Sequence, residues 1–417
     1  MFDRDNWQEI FATIKKNKLR TLLTCFGVFW GIFMLVIMIG SGRGLENGVT
    51  QEFGGTATNS FAVWAQRTSK PYKGMQPGRR FNYNNADYIA LKQIPELEHI
   101  APKNQLGGYR GNVNVTRGLQ KADAGVMGAV PVLNKIHQLI PEQGRWLNEL
   151  DQTEKRKVAV IGPRVYKVLF AKDENPIGQY ISVNGIYFRV VGVLKQIGSG
   201  GNAEENAQAV YLPFSSFQQA FNFGDEVGWF EVTSRKDIPA SFAEEKVIAM
   251  LKERHKIAPN DPTAIGHYNT EEEFNRLQGL FAGISILVWV VGTGTLIAGV
   301  IGVSNIMLII VKERTREIGV RRALGAPPMH IAGQLIMESI FITALAGYAG
   351  LVMSVGLLEL VASLIPSDGG GMFVAPGVDL NVALFALTIL VAAGALAGLI
   401  PARKALAVSP VEALRYE

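Results

Sequence analysis

Thr21–Gly42, TLLTCFGVFWGIFMLVIMIGSG, is a run of 22 residues without a charged side chain. As a helix it spans about 33 Å, enough for a hydrocarbon core of about 30 Å. It outlasts the apolar core of a cleaved signal peptide, no A-x-A site follows it, and the polar stretch before it is long and amphipathic. The reading is therefore a retained anchor. Three more stretches share its character. Leu277–Val311 and Leu380–Ala402 carry no charge, and Ile331–Ile365 carries only Glu338 and Glu359. Four transmembrane helices are predicted, over 21–42, 277–311, 331–365 and 380–402.

The composition agrees with a chain of two kinds. Of 417 residues, 48% are hydrophobic and 18% charged, with 45 Gly and a net charge of +5. The mean hydropathy is +0.16 and the pI about 9.1. That charge content is low for a soluble domain, yet the hydropathy is too low for a chain buried in lipid throughout. A disordered chain is excluded by the apolar fraction. The single Cys, Cys25, excludes an intrachain disulfide and a cysteine-based zinc site.

Position explains much of the basic excess. Arg4, Lys15, Lys16, Lys18 and Arg20 precede the first span. Lys312, Arg314, Arg316, Arg321 and Arg322 lie between the second and third, and Arg403, Lys404 and Arg415 follow the fourth. Pro366–Asp379 has neither Lys nor Arg. By the positive-inside rule both termini and the 312–330 loop are cytoplasmic, while 43–276 and 366–379 lie outside. A nucleic-acid partner is not expected.

The second apolar run is too long for the bilayer. Its 35 residues make about 52 Å of helix, and EEEFNRLQ (Glu271–Gln278) has the propensity to extend it outward. One unbroken helix would be a lever between the outer segment and the cytoplasmic loop. Gly292 and Gly294 are where it would break instead. Small residues recur four apart at Gly27/Gly31, Gly279/Gly283, Ala298/Gly302 and Gly394/Gly398, a spacing that lets helices approach closely in lipid.

Segment 43–276 reads as mixed α/β. Asn184-Gly185 between ISV and IYFRVVGV signals a type I′ hairpin. KVAVIG (Lys157–Gly162) reads as a buried strand, followed by a helix over Pro163–Phe170. Ala209–Leu212 and Phe230–Thr233 read as strands, and Asp87–Ile94 and Ala240–His255 as helices. Lys70–Arg80 and Gly198–Asn206 read as loops. The segment shows little chemistry. The five His have no metal-ligand spacing, no G-x-S-x-G elbow occurs, and the scattered carboxylates read as surface solvation. No G-x₄-G-K-[ST] loop occurs anywhere, so the chain is not expected to hydrolyse ATP.

Three pieces face the cytoplasm. Trp7, Ile10, Phe11 and Ile14 share one helical face before the basic residues, so 1–20 is predicted to lie on the membrane as an amphipathic elbow helix. In VKERTREIGVRRALGAPPMHI (Val311–Ile331), Glu317 precedes Arg321 by four, the favourable order for a helical ion pair. Gly325 reads as its C-cap, with Pro327 and Pro328 stopping the helix. Acidic residues interleaved with basic ones suit docking into a protein groove. In the tail, 403–417, Ser409-Pro410-Val411-Glu412 is a capping box with Pro at the first helical position. Glu338 stands within about two turns of the cytoplasmic end of its span. An intramembrane carboxylate is a functional candidate, although so shallow a one could also reach water or pair with a basic residue.

ERTREIGVRRALGA (Glu313–Ala326) closely resembles the cytoplasmic loop of MacB/FtsX-type ABC permeases. PARKALAVSPVEALRYE (Pro401–Glu417) resembles that family's C-terminal signature, and KNKLRTLLTCFGVFWGI (Lys16–Ile32) resembles the start of its first span. GRWLNELDQTEKRKVAVIGPRVYKVLF, NPIGQYISVNGIYFRVVGVL and VYLPFSSFQ resemble its periplasmic core. The resemblance implies four transmembrane helices with a large extracytoplasmic α/β domain between the first two, in a bacterial inner membrane. It also implies a dimer with an identical copy or close paralogue, and a separate ABC ATPase subunit that binds the ATP and magnesium. No cofactor is implied on this chain, which is itself no enzyme. The coupling helix would be 313–325, with Arg314, Arg316, Glu317 and Gly319 carried over from the motif and Glu313, Arg321, Leu324 and Gly325 completing the surface. Ser409, Pro410 and Glu412 would form a tail contact. Pro327-Pro328 departs from the polar stretch usual there. MacB-like members work with a periplasmic adaptor and an outer-membrane duct to export drugs or peptides. Lipoprotein release and FtsX-like control of cell-wall hydrolases are the alternatives, the latter disfavoured by the large outer domain.

Overall fold

The computed structural model describes residues 18–53, 56–108, 111–197, 201–364 and 380–407. The elbow helix predicted over 1–20 falls largely outside them, as do the 366–379 loop and Ser409, Pro410 and Glu412. The chain divides into two compact units near residues 47 and 280.

The helical unit contains most of α1 (Lys18–Phe53) and α2 (Thr270–Glu313), with α3 (Thr315–Ala323), α4 (Pro328–Leu364) and α5 (Leu380–Ala407). Among the described residues three helical stretches are long and apolar enough to cross a membrane: Cys25–Gly48, Thr270–Glu313 and Pro328–Leu364. The fourth predicted stretch, 380–402, lies within α5, which continues past Pro401. The second predicted run is one helix of 44 residues, about 66 Å long. It passes through Gly292 and Gly294 without a break, and Gly292 packs closely against α1. A Cβ there would meet the Leu35 side chain on α1 at 2.4 Å.

Two of the four small-residue pairs carry helix contacts. Gly27 on α1 lies against Gly299 on α2, where an added Cβ would be 3.7 Å from the facing Cα. Gly394 and Gly398 on α5 lie against Ile336, Ser339, Ile340 and Thr343 of α4. Gly279, Gly283 and Gly302 meet nothing within 4 Å among the described residues, so spacing by itself does not identify a contact face. Val28, Ile32 and Val36 of α1, Val303 and Met307 of α2, and Leu335 of α4 form the buried centre.

The second unit contains thirteen strands among the described residues. They are β1 (Ser60–Ala65), β2 (Tyr83–Asn84), β3 (Leu97–Gln105), β4 (Val113–Arg117), β5 (Gln120–Ala129), β6 (Pro141–Gly144), β7 (Val158–Ile161), β8 (Tyr180–Val183), β9 (Ile186–Leu194), β10 (Ala209–Pro213), β11 (Glu226–Val227), β12 (Trp229–Ser234) and β13 (Ile265–Asn269). The hairpin predicted at Asn184-Gly185 joins β8 to β9, and both residues have positive φ, 49° and 84°, as a type I′ turn requires.

The pairings β5–β10, β10–β7, β7–β9, β9–β8, β8–β4 and β4–β5 return to their starting strand, so six strands close into a ring. Closure removes the exposed edges an open sheet would keep. Alternate residues fill its interior: Ala122, Ala124 and Val126 of β5, Ala159 and Ile161 of β7, Val210 and Leu212 of β10. The opposite faces of the same strands, Met127 and Ala129, Val158 and Val160, Ala209 and Tyr211, join a second core. That core lies under the sheet that continues from β5 through β3, β12, β1 and β13. Helix Ala240–Arg254 covers it with Ala240, Ala243, Val247 and Leu251. Strands buried on both faces read as unbroken apolar runs, as VAVI does.

Two expectations for this domain are corrected. The 198–206 stretch is not all loop: Gly201–Ala207 is a helix, and Ala203 and Ala207 are buried. Nor do the carboxylates merely solvate the surface. Asp87, Asp151, Glu244 and Asp261 are buried. Asp87 and Asp151 close capping boxes with Asn84 and Asn148, and Asp87 also bonds Arg254 and His255. Asp261 accepts from the Ser69 hydroxyl and the Ser69 and Lys70 backbone, tying down the start of the 70–80 loop. Glu231 accepts from Lys103 at 2.9 Å and meets His137 at 2.5 Å. A lone sequence cannot show these partners, because most lie more than a hundred residues away.

These pairings set a pH dependence. Burial pushes the pKa of Asp87, Asp151, Glu231 and Asp261 up. The bonds from His255 and Arg254, from Arg145, from Lys103 and His137, and from Ser69 outweigh it, and all four lie below the ordinary carboxylate range. A lowered folded pKa favours the folded state above the unfolded value, and that contribution disappears as pH falls through the folded one. The urea midpoint of this α/β domain, followed by tryptophan fluorescence of the purified chain, is therefore expected to be nearly level from about pH 7 to 5. It should drop steeply below about pH 4. A midpoint unchanged down to about pH 3 would contradict this account.

Candidate functional site

The segment joining α2 to α4 is the candidate site. α2 ends at Glu313, Arg314 leaves the helical conformation at φ −97° and ψ 11°, and α3 begins at Thr315. One non-helical residue therefore connects two helices. The far end of α3 is closed by a Schellman pattern. Gly325, at φ 94°, donates its N–H to the Arg322 carbonyl, and Ala326 donates to that of Arg321. The predicted glycine cap is in place. The stop assigned to both prolines is corrected, because Pro328 is the first residue of α4, where its missing N–H costs nothing.

The two faces of α3 differ. Ile318 and Gly319 are buried against the bundle. Arg321 pairs with Glu317 at 2.8 Å, the predicted i,i+4 contact, and its other nitrogen donates to Gln334 of α4 at 3.4 Å. Arg322 donates to the Leu406 carbonyl of α5 at 3.1 Å. Arg314 lies 3.9 Å from the Glu338 carboxylate. Glu338 is 2% exposed, so it does not reach water by itself.

The outward face holds Arg316, Glu317, Val320 and Leu324, with Met329 beyond the cap. Leu324 is 83% exposed, Met329 78% and Val320 40%. Of the residues singled out in the sequence, Glu313, Arg316, Glu317, Leu324 and Gly325 are exposed, whereas Arg314, Gly319 and Arg321 turn toward the helices. Val320 and Met329 were not singled out. The 316–320–324 spacing marks a helix face, but only the surrounding helices show that this face is the open one.

Such an arrangement defines a class: a membrane protein with a short, partly apolar exposed helix between two long ones and a large folded domain between its first two long helices. The comparisons agree. The family model described as MacB-like periplasmic core domain matches residues 21–251, more than half of the chain, and the one described as FtsX-like permease C-terminal matches 289–410. The chain belongs to the MacB-like family of ABC transporter permeases. It is 29% identical over 412 residues to a macrolide export ATP-binding/permease protein MacB of Bdellovibrio bacteriovorus, covering 98% of this chain and 61% of that one. It is 29% identical over 407 residues to a pyoverdine export ATP-binding/permease protein PvdT of Pseudomonas putida, covering 96% of this chain and 58% of the relative. The chain thus spans about three fifths of these relatives' length. Among solved structures, the periplasmic region of MacB from Actinobacillus actinomycetemcomitans aligns with 54% of this chain and 95% of its own. The TM-score is 0.43 and the identity 20%.

Proposed function

We propose that this chain is the transmembrane component of an ABC exporter of the bacterial inner membrane, with four spans and both termini cytoplasmic. An ABC ATPase binds the outward face of α3, and hydrolysis of its Mg-ATP moves the outer domain through α2. The observation that supports this best is the open face of Arg316, Val320 and Leu324 on a helix capped at its end and held from behind by arginine contacts. Val320, Leu324 and Met329 are exposed apolar side chains beside Arg316, which supports a protein contact there. The continuous α2 supplies the lever, because an unbroken helix carries displacement along its axis. A second copy of the chain or a close paralogue completes the pair of membrane components, and a periplasmic adaptor with an outer-membrane duct takes the cargo. The relatives are named for export of macrolides and of pyoverdine, which supports export of a drug, peptide or comparable small molecule here.

Co-expression with the ABC ATPase encoded nearest to the gene tests this reading. The expected result is a detergent-stable complex whose ATPase rate rises several-fold over the isolated ATPase. A chain that neither retains nor stimulates that ATPase would sink the proposal. Trapping of lipoproteins in the inner membrane on depletion would redirect it to lipoprotein release.

A further inference from the structure

Arg314, Arg321 and Arg322 look like a cationic surface in the sequence, but their side chains bond within the chain. Gln334 and Glu338 stand four apart on α4, about 6 Å along its axis and on one face. They meet two arginines seven apart, Arg321 at 3.4 Å and Arg314 at 3.9 Å. Arg322 takes the third anchor, a carbonyl in the last turn of α5, where the helix dipole favours a cation. Arg314 is also the one non-helical residue between α2 and α3, so the charge pair lies at the joint itself. The carboxylate that holds it is 2% exposed on a helix whose neighbouring Ser339 is fully buried.

From this register we infer that Glu338 is a positioning residue. Its buried carboxylate latches the Arg314 joint and so sets the attitude of α3 relative to α4. A carboxylate suits this place because it faces a guanidinium from a buried position, and removing one charge takes a partner from the other. With the joint latched, a push on α3 is passed to α2 and α4 together. With it released, α3 pivots at Arg314 and the push is lost. The transmission part of this inference rests on the ATPase-docking reading; the latch itself does not.

The test uses the full chain in nanodiscs, with Glu338→Gln, Arg314→Gln, the double variant, and Glu359→Gln as a control that removes an exposed carboxylate from the same helix. The first readout is hydrogen exchange of the Thr315–Ala323 amides, which needs no ATPase. Glu338→Gln and Arg314→Gln should each speed it about tenfold, the double variant no more than either single, and Glu359→Gln not at all, because coupled residues are not additive. Glu338→Asp, which keeps the charge, should recover part of the protection. Unchanged exchange in both singles, or a double effect equal to their sum, would overturn the latch. Should Glu338→Gln fail to fold, Arg314→Gln, at the more exposed partner, carries the same test. The second readout is the ATPase complex, which should still assemble with Glu338→Gln while transport per ATP falls several-fold; undiminished transport per ATP would overturn the transmission step. A parent chain that binds no ATPase would defeat the docking reading and leave the exchange result standing.

Discussion

Replacing Val320 and Leu324 together by Asp is expected to weaken binding of the ATPase at least about 30-fold, the loss that follows from removing one hot spot of about 2 kcal/mol. Val320 on α3 and Leu324 at its C-cap are exposed at 40% and 83%, so neither belongs to the buried core. Their substitution puts two carboxylates into the apolar part of the contact, where each must be desolvated without a partner. Arg316→Ala, on the same face, should have a smaller effect that fades as salt is raised. Arg314→Ala and Arg321→Ala would be poorer probes, because they remove contacts to α4 and disturb the bundle as well as any docking. Affinity measured on the nanodisc-embedded chain, beside its melting temperature, separates the cases. If the double Asp variant binds like the parent while folded, the ATPase docks elsewhere.

The second large effect lies in the bundle. Gly394→Val should destabilise the helical unit by more than about 3 kcal/mol, beyond the range of ordinary overpacking. A Cβ at Gly394 would fall 2.1 Å from the Thr343 hydroxyl oxygen and 3.0 Å from the Ile340 Cα. The hydroxyl can swing aside; the backbone of α4 cannot without parting the helices. Thr343 also donates to the Ser339 carbonyl, so its rotation breaks that bond. Gly302→Ala is the contrasting case: its added methyl meets nothing within 4 Å among the described residues, and Ala favours helix. Melting of the detergent-purified variants should fall by many degrees for the first and stay level or rise slightly for the second. Equal melting of the two would show that the α4–α5 contact is not the one described.

These two cases show where the sequence was legible. Gly279/Gly283 and Gly394/Gly398 have the same spacing, yet among the described residues only the second of these two pairs meets another helix. Spacing records what a helix can accommodate, not what stands opposite it. The same limit applies to the motif in 313–326. Its charge order announced the Glu317–Arg321 pair and its glycine announced the cap, because both are interactions within one or two turns. Which arginines face inward depends on Gln334, Glu338 and Leu406, residues 13 to 84 positions away.

In the α/β domain the hairpin, the buried strand at 158–161 and the helix Ala240–Arg254 could be read because turn chemistry and hydrophobic period act locally. The closed ring of six strands could not. Its closing pair joins β10 to β5, more than eighty residues apart and parallel, and no local signal marks such a partner. The buried carboxylates escaped for the same reason. An Asp in a capping box reads from sequence as one more surface charge until Arg254 and His255 arrive from the far side of the fold.

By itself, then, the sequence determined the apolar runs, the large polar insertion between the first two and the short charged helix that follows the second. These follow from hydropathy, charge and short-range hydrogen bonding, which the order of residues specifies directly. Only the tertiary structure decided the closed ring, the glycines that matter and the division of the motif into an inner latch and an outer face. Each of those is a contact between residues distant in sequence, and the packing of the whole chain selects which of the possible partners meet.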